Sequence, residues 1–411
     1  DLNANNIALV GEPAGVINKE DADDYTLYRD SVWNNLRNFG ETTNYNHSMS
    51  LSYKLPFDKL PLLDFISSDV RYQGTYRWDR APFAQDTLGN TIQNSRNLSL
   101  NAQANLVNLY NKVPMLKEIN NAKPKNNNRS NRNQERDGFG NIIEDEDKDD
   151  KEKFNPLNAA LRLIMSLRNV SGSYTRNEGI LLPGYANGTQ ILGMDDNFEG
   201  PGVGFIMGQQ NTDLLGNPTG NYAIEAAGKG WLVEQPFLNQ QYSETYTENW
   251  NVRANIEPIK YFKIELTANR TESENLQSFF RYDDDLDSYN FESSQQNGNF
   301  SASIISWPTT FVQDDDDYNS STFDAFLLNR LEISSRLNNQ AYQLDSPEAN
   351  GYYAGWGPAS QEVTIPAFIA AYTGRDAKNV ALNPFETKVA PNWRVTYDGL
   401  TKLPSIKKYF K

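Results

Sequence analysis

In residues 251–270, NVRANIEPIKYFKIELTANR, polarity alternates residue by residue. Val252, Ala254 and Ile256 oppose Asn251, Arg253 and Asn255; Phe262, Ile264, Leu266 and Ala268 oppose Lys263, Glu265, Thr267 and Asn269. Successive side chains of a strand point to opposite faces, so the pattern predicts two antiparallel strands, each with one apolar and one polar face. A tight turn through 257–261, containing Pro258, joins them. Two surroundings suit such an apolar face. In a soluble sandwich it packs on a second sheet; in an outer-membrane barrel it touches lipid while the polar face lines a wet interior.

The alternation recurs along the chain. Over 44–55, Tyr45, His47, Met49, Leu51, Tyr53 and Leu55 oppose Asn44, Asn46, Ser48, Ser50, Ser52 and Lys54 without exception. That run is closer to the 9 to 11 residues or so of a tilted membrane strand than to the roughly 5 or 6 of a typical soluble one. Over 69–78, Val70, Tyr72, Tyr76 and Trp78 oppose Asp69, Arg71, Gln73, Thr75 and Arg77. Over 96–107, Leu98, Leu100, Ala102, Ala104 and Leu106 oppose Asn97, Ser99, Asn101, Gln103 and Asn105. Further strands are expected at 168–175, at 242–281 as the hairpin above, at 291–305 and at 393–397.

Between them the spacing changes. Residues 1–43 read as an irregular segment (1–24) followed by a short amphipathic helix, with Tyr25, Tyr28, Val32, Leu36 and Phe39 at helical spacing and Gly40 as its stop. Residues 44–117 carry the first three strands. The polar insert 118–155, including NNNRSNRNQERDG and EDEDKDDKEK, buries too little apolar surface to order itself. Residues 156–311 hold a helix at 156–167, more strands, and a long connection at 176–240 that includes Ile180-Leu181-Leu182, Phe205-Ile206-Met207 and Trp231-Leu232-Val233. A connection that apolar is ordered against something, folded into the lumen or capping it. Residues 312–391 contain a helix near 322–337 and loops, and 392–411 a last strand and the start of a hairpin.

In bacterial barrels short turns are periplasmic and long loops extracellular. The first, third and fifth strands therefore run toward the periplasm and the second, fourth and sixth away, which places the acidic tract 144–150 on the periplasmic side. The strands at 291–305 and 393–397 both run inward, so an outward crossing is needed between them. Residues 362–372 are the candidate, weakened by Pro366.

Composition removes whole classes of function. With no cysteine and one histidine, His47, thiol catalysis, disulfide frameworks and thiolate metal sites are excluded, and one imidazole at most serves a triad or a zinc ion. A net charge of -15 runs against nucleic-acid recognition. The 22 Tyr, 20 Phe and 7 Trp suit a barrel, whose interfacial girdles are aromatic. No run of about 20 apolar residues is present for a membrane helix. His47 lies among Tyr45 and Met49 as a packed or interfacial side chain. The acidic runs 283–285 and 314–317 lack calcium-loop spacing, and Gly200-Pro201-Gly202-Val203-Gly204 lacks a phosphate-loop context. No catalytic residue, cofactor or metal is expected.

The expectation is all-β: part of an antiparallel transmembrane barrel with long loops and a few short helices. The chain opens without a leader and stops inside a hairpin, as a piece of a longer polypeptide would, and an open sheet edge cannot stand in hydrocarbon. The predicted lumen-facing residues are Ser48, Ser50, Ser52, Arg71, Gln73, Arg77, Asn101, Gln103, Asn251, Arg253, Lys263, Glu265 and Asn269. The predicted lipid-facing residues are Met49, Leu51, Tyr53, Tyr72, Tyr76, Trp78, Leu98, Leu100, Leu106, Val252, Ile256, Ile264 and Leu266. Tyr76, Trp78 and Trp393, near strand ends, are expected in an interfacial girdle.

Four segments in order, LYRDSVWNNLRNFG (27–40), RNVSGSY (168–174), PGVGFIMG (201–208) and IPAFIAAYTG (365–374), are similar to the SprA/Sov family, the outer-membrane translocon of the type nine secretion system. The likeness runs from Tyr25 to Phe410, the polar insert excepted. It implies a very large single-chain barrel that exports folded proteins carrying C-terminal signals, without catalysis. It also implies a pore that opens sideways, a PorV-type outer-membrane partner at that opening, a periplasmic plug protein and surrounding outer-membrane lipids. A TonB-dependent or porin-type solute transporter shares every strand signal, and a soluble β-sandwich adhesin also alternates.

Overall fold

A computed structural model describes residues 2–7, 41–121, 156–259, 261–304, 309, 311–317, 319–340, 346–383 and 390–399, with Thr26, Arg29, Asp30, Val32, Trp33 and Arg37. Those six are helical, in keeping with the helix expected there; the polar insert beyond 121 and the tail beyond 399 lie outside the described residues.

Among the described residues nine strands form one antiparallel sheet. They are β1 (Leu2–Ile7), β2 (Glu41–Leu55), β3 (Ile66–Asp79), β4 (Asn90–Asn105), β5 (Leu167–Tyr185), β6 (Tyr242–Ile259), β7 (Phe262–Asp283), β8 (Ser288–Ala302) and β9 (Asn392–Tyr397). Strands β1 to β8 lie side by side in chain order, and β9 also pairs with β7. The sheet is open: among the described residues β1 pairs with β2 alone, and β8 and β9 with β7 alone. Beyond those six residues, the α-helices among the described residues are α1 (Leu106–Tyr110), α2 (Pro114–Asn121), α3 (Pro156–Ile164), α4 (Val203–Ile206), α5 (Tyr222–Gly228), α6 (Ser321–Gln340) and α7 (Gln361–Thr373).

Several expected boundaries move. Residues 2–7, read as irregular, add a strand whose Leu2 to Ala4 pair with His47 to Tyr45. Strand β5 continues ten residues past Thr175, so Ile180, Leu181 and Leu182 belong to the sheet rather than to the connection. Leu106 leaves the sheet: the Asn105 side chain accepts a hydrogen bond from the Asn108 N–H and caps α1, which switches the period from 2 to 3.6. Glu118 to Asn121, expected in the disordered insert, end α2.

The outward crossing expected between 306 and 391 is not needed. Strand β8 pairs with Arg270 to Asp283 of β7, and β9 pairs with Phe262 to Thr267 of the same strand, both antiparallel. The two are consecutive pieces of one lane, interrupted by residues 303–391. Ser303 closes the gap. Its N–H donates to the Asn269 carbonyl (2.8 Å), its Oγ accepts from the Asn269 N–H (3.0 Å) and the Asn392 Nδ2 (3.4 Å), and its carbonyl accepts from the Ala390 N–H (3.1 Å). The candidate crossing 362–372 is instead helix α7, which carries Pro366 inside it and ends on Gly374 in the left-handed region. Helix α6, expected from the spacing of Phe323 to Leu337, packs on α7 around Ile333, Val363, Ala367 and Ala370.

Candidate functional site

Because each register in the sheet's centre preserves parity, side chains can be read in rows across it. All thirteen residues predicted for the lumen share one face. Eleven of them are exposed, with Ser48 and Asn251 half-buried. The face is a net of short polar side chains. Asn101 Nδ2 donates to Asp69 Oδ2 (3.2 Å), Thr75 and Ser95 share a hydrogen bond, and Asn251 bonds Asn269. Arg71 and Arg77 are held in solvent-exposed pairs with Asp69 (3.4 Å) and Asp79 (2.6 Å). A shallow recess of about 290 Å³ lies between Asp69, Asn101, Gln103, Ser173 and Arg253.

The opposite face divides by height. Its lower part is bare: Leu51 is 65% exposed, Tyr53 58%, Leu100 38%, Val252 41%, Trp393 50% and Val395 42%. Ile256, Ile264 and Leu266 are half-buried beside them, as are Met49 and Leu98. On β7 this band runs from Phe262 to Ala268, seven residues, with Arg270 above it. At about 3.4 Å per residue and a tilt near 40°, that spans roughly 18 Å of height, shorter than the 25 Å or so of a barrel's apolar belt.

The upper part is covered by protein. The connection 186–241 lies on it and buries Tyr45, Tyr76, Trp78, Ile92 and Leu182 together with its own Phe205, Ile206, Ala223, Ala226 and Trp231. This corrects two expectations. Tyr76 and Trp78, predicted to face lipid in a girdle, are 1% and 3% exposed: Tyr76 meets the Phe205 ring edge-on, and Trp78 Nε1 donates to the Asn187 carbonyl. The connection, expected inside or over the lumen, sits on the face that carries the apolar band. Gly74 makes the approach feasible, since a Cβ there would stand 2.2 Å from the Met207 carbonyl oxygen, and Tyr72 donates its hydroxyl to that same oxygen (2.7 Å).

Between band and cover lies a charged belt that the sequence reading missed. Glu178 is 6% exposed and accepts from Arg96 Nε (3.0 Å), Arg96 Nη2 (2.5 Å) and Arg176 Nη2 (2.6 Å). Thr212 and the Asp213 carbonyl of the covering connection complete the set by accepting from the same guanidinium groups. In the neighbouring strands Arg270 bridges Glu248 (2.7 Å) and Glu272, and Trp250, 47% exposed, packs on Tyr174 at 4.8 Å and donates to Glu248. The alternation at 250, 252 and 254 contained the signal for Trp250. Arg176 and Glu178 gave none, since they lay within an assumed loop.

Outside the strands, Asp213 is held below the usual carboxylate range by the Asn217 side chain and by the backbone N–H groups of Asn217 and Leu215. Burial pushes the Tyr222 hydroxyl far up; it donates to the Pro201 carbonyl and its ring stacks on Phe205 at 4.0 Å. His47 is half-buried opposite Tyr76, its Nδ1 without a hydrogen-bond partner among the described residues. The acidic runs 283–285 and 314–317 form turns in which Asp283 and Asp315 accept from following N–H groups. Among the described residues no group of three or more His, Asp or Glu side chains is placed to hold a metal ion. No protein-family model matches the chain, and no curated protein sequence matches it.

Proposed function

We propose that this chain is a sector of the wall of a large outer-membrane β-barrel that conducts folded proteins through a water-filled lumen, as its resemblance to the SprA/Sov translocon implies. The observation that carries the membrane part is the bare apolar band, seven residues tall on β7, opposite a polar face. A soluble sandwich needs a second layer over Leu51 and Leu100, and among the described residues none covers them. In this reading the free edges at β1 and at β8 and β9 are paired by further strands, because each unsatisfied backbone group in hydrocarbon costs several kcal/mol. Small uncharged groups mixed with charges of both signs hold water against the wall without gripping a passing polypeptide. Its substrates would be proteins with C-terminal signals, and its neighbours a PorV-type barrel, a periplasmic plug protein and outer-membrane lipids.

The absence of cysteine makes the test direct. Single cysteines replace Leu51, Leu100 and Leu266 on one face and Ser50, Asn101 and Glu265 on the other, in protein embedded in a bilayer. A water-soluble maleimide should label the second set and spare the first. Equal labelling of both sets, or recovery of the protein in the aqueous fraction without detergent, defeats the membrane reading. Protection of the polar set only while a secretion substrate is arrested in transit supports conduction of proteins; the same protection by a small solute supports the porin-type alternative.

A further inference from the structure

We propose that the recess between β5, β6, β7 and the covering connection takes a lysine side chain presented by a polypeptide; the inference stands apart from the membrane reading above. The recess holds about 500 Å³. Its floor follows the register, with Ile180, Glu244 and Leu276 in one row and Glu178, Tyr246 and Glu274 in the next. Leu215 of the covering connection overhangs it.

The charges do not balance. Arg96 and Arg176 are engaged by Glu178, and Arg270 by Glu248 and Glu272. Glu244 and Glu274, both half-buried, are left without a cation among the described residues. Glu244 is fixed in place by neutral donors: its Oε1 accepts from the Tyr242 hydroxyl, Asn211 Nδ2 (2.7 Å) and Asn221 Nδ2 (3.2 Å), and its Oε2 accepts from none of them. Glu274 accepts from Gln296 Nε2 alone (3.4 Å), and the residue opposite it in β8 is Gly298, so no side chain fills that flank. The two carboxylates are diagonal neighbours on adjacent strands, about 7 Å apart at the backbone, close enough for both to lean on one cation.

The rest of the recess selects the kind of cation. Among the described residues no group of three or more acidic side chains is placed to hold a metal ion, whereas Ile180, Leu276, Leu215 and the Tyr246 ring offer apolar wall to an aliphatic stem. Arg176 lines the same recess at 2% exposure, and its Nε has no hydrogen-bond partner among the described residues. A buried donor in that state calls for an acceptor. The ligand that answers both needs carries an ammonium group and a carbonyl together, as a lysine within a polypeptide does and a free polyamine does not. Gly216, whose built Cβ stands 2.9 Å from Arg176 Nη1, covers that guanidinium, so the exposed turn at 213–217 is the part that shifts to admit the carbonyl.

The test measures binding of a fluorescein-labelled Ala-Leu-Lys-Leu-Ala peptide to the full chain by anisotropy, beside the same peptide with Nε-acetyl-lysine or norleucine in place of lysine. The lysine peptide should bind at least about tenfold more tightly than either, and Glu244→Gln and Glu274→Gln should each weaken it by about tenfold while Glu348→Gln, on the helical insertion, leaves it unchanged. Glu274 carries only the Gln296 bond, so its variant keeps the test independent of folding. Equal binding of the three peptides, or equal loss in all three variants, reduces the attraction to diffuse negative charge and overturns the proposal. Displacement of the peptide by spermidine at an equal concentration of amine shows that the carbonyl adds nothing, and overturns the assignment to a polypeptide.

Discussion

Replacing Glu178 with Gln tests the energetic logic of the covering layer. Among the described residues Glu178 is the one carboxylate that accepts from both Arg96 and Arg176, and the side chains of Glu178, Arg96 and Arg176 are 5%, 5% and 3% exposed. The substitution keeps shape and volume, removes the charge, and points an amide at two guanidinium groups. Leaving buried charge uncompensated costs about 3–5 kcal/mol. The cheapest escape is local: if residues 203–219 lift away, both guanidinium groups meet water while the sheet beneath stays paired. At about 1.4 kcal/mol per tenfold, the lifted population should rise by two to three orders of magnitude (E178Q). Hydrogen exchange of the backbone amides of 203–219 reads this directly, with those of β3 and β4 as internal reference. Adding Arg176→Met to E178Q should recover part of the protection, because only one cation then remains. Exchange in 203–219 faster by less than about fivefold, or faster only together with the whole sheet, refutes the account.

Gly74→Ala drives a Cβ into the Met207 backbone and should raise exchange in the same segment by about 1–3 kcal/mol, plus about 1 for the Tyr72 hydrogen bond; unchanged proteolysis of the connection counts against the contact. In a bilayer, Leu51→Arg should destabilise by about 2–4 kcal/mol while the adjacent Ser50→Arg changes little, read as urea midpoints; equal shifts contradict the assignment of faces. For Asp213 the folded pKa lies below the unfolded value of about 3.9, so its contribution is present above that value and lost as pH falls through the folded one. Amide exchange in 213–217 should therefore loosen below about pH 4 and stay flat from 5 to 8; loosening between 5 and 7 points to another group. Ile333→Ala, at a fully buried position between α6 and α7, should cost about 2–5 kcal/mol in the helical insertion and leave β8 and β9 exchange unaltered; parallel loss in both denies that the insertion stands apart from the lane.

What the sequence alone determined is the two-residue period and its consequences. Each strand needs only its own side chains to declare two faces, so Ser50 and Leu51, or Arg253 and Val252, sort without knowledge of any neighbour. The register then aligns those choices across the sheet, and all thirteen polar candidates meet on one side. Helical spacing in 322–337 was equally local and equally legible.

Only the tertiary structure decided which part of the apolar face is bare. Tyr76 and Leu51 obey the same alternation, yet one is covered and the other open, because the cover arrives from 186–241 and depends on a glycine at position 74 that the alternation treats as a gap. The interrupted lane is of the same kind: Ser303 and Asn392 stand 89 residues apart in the chain, yet the Asn392 Nδ2 donates to the Ser303 Oγ, which no local pattern announces. Periodicity specifies direction relative to the strand, whereas burial and continuity depend on which distant segment has returned, and the free energy for that return comes from surfaces that separate stretches of sequence make together.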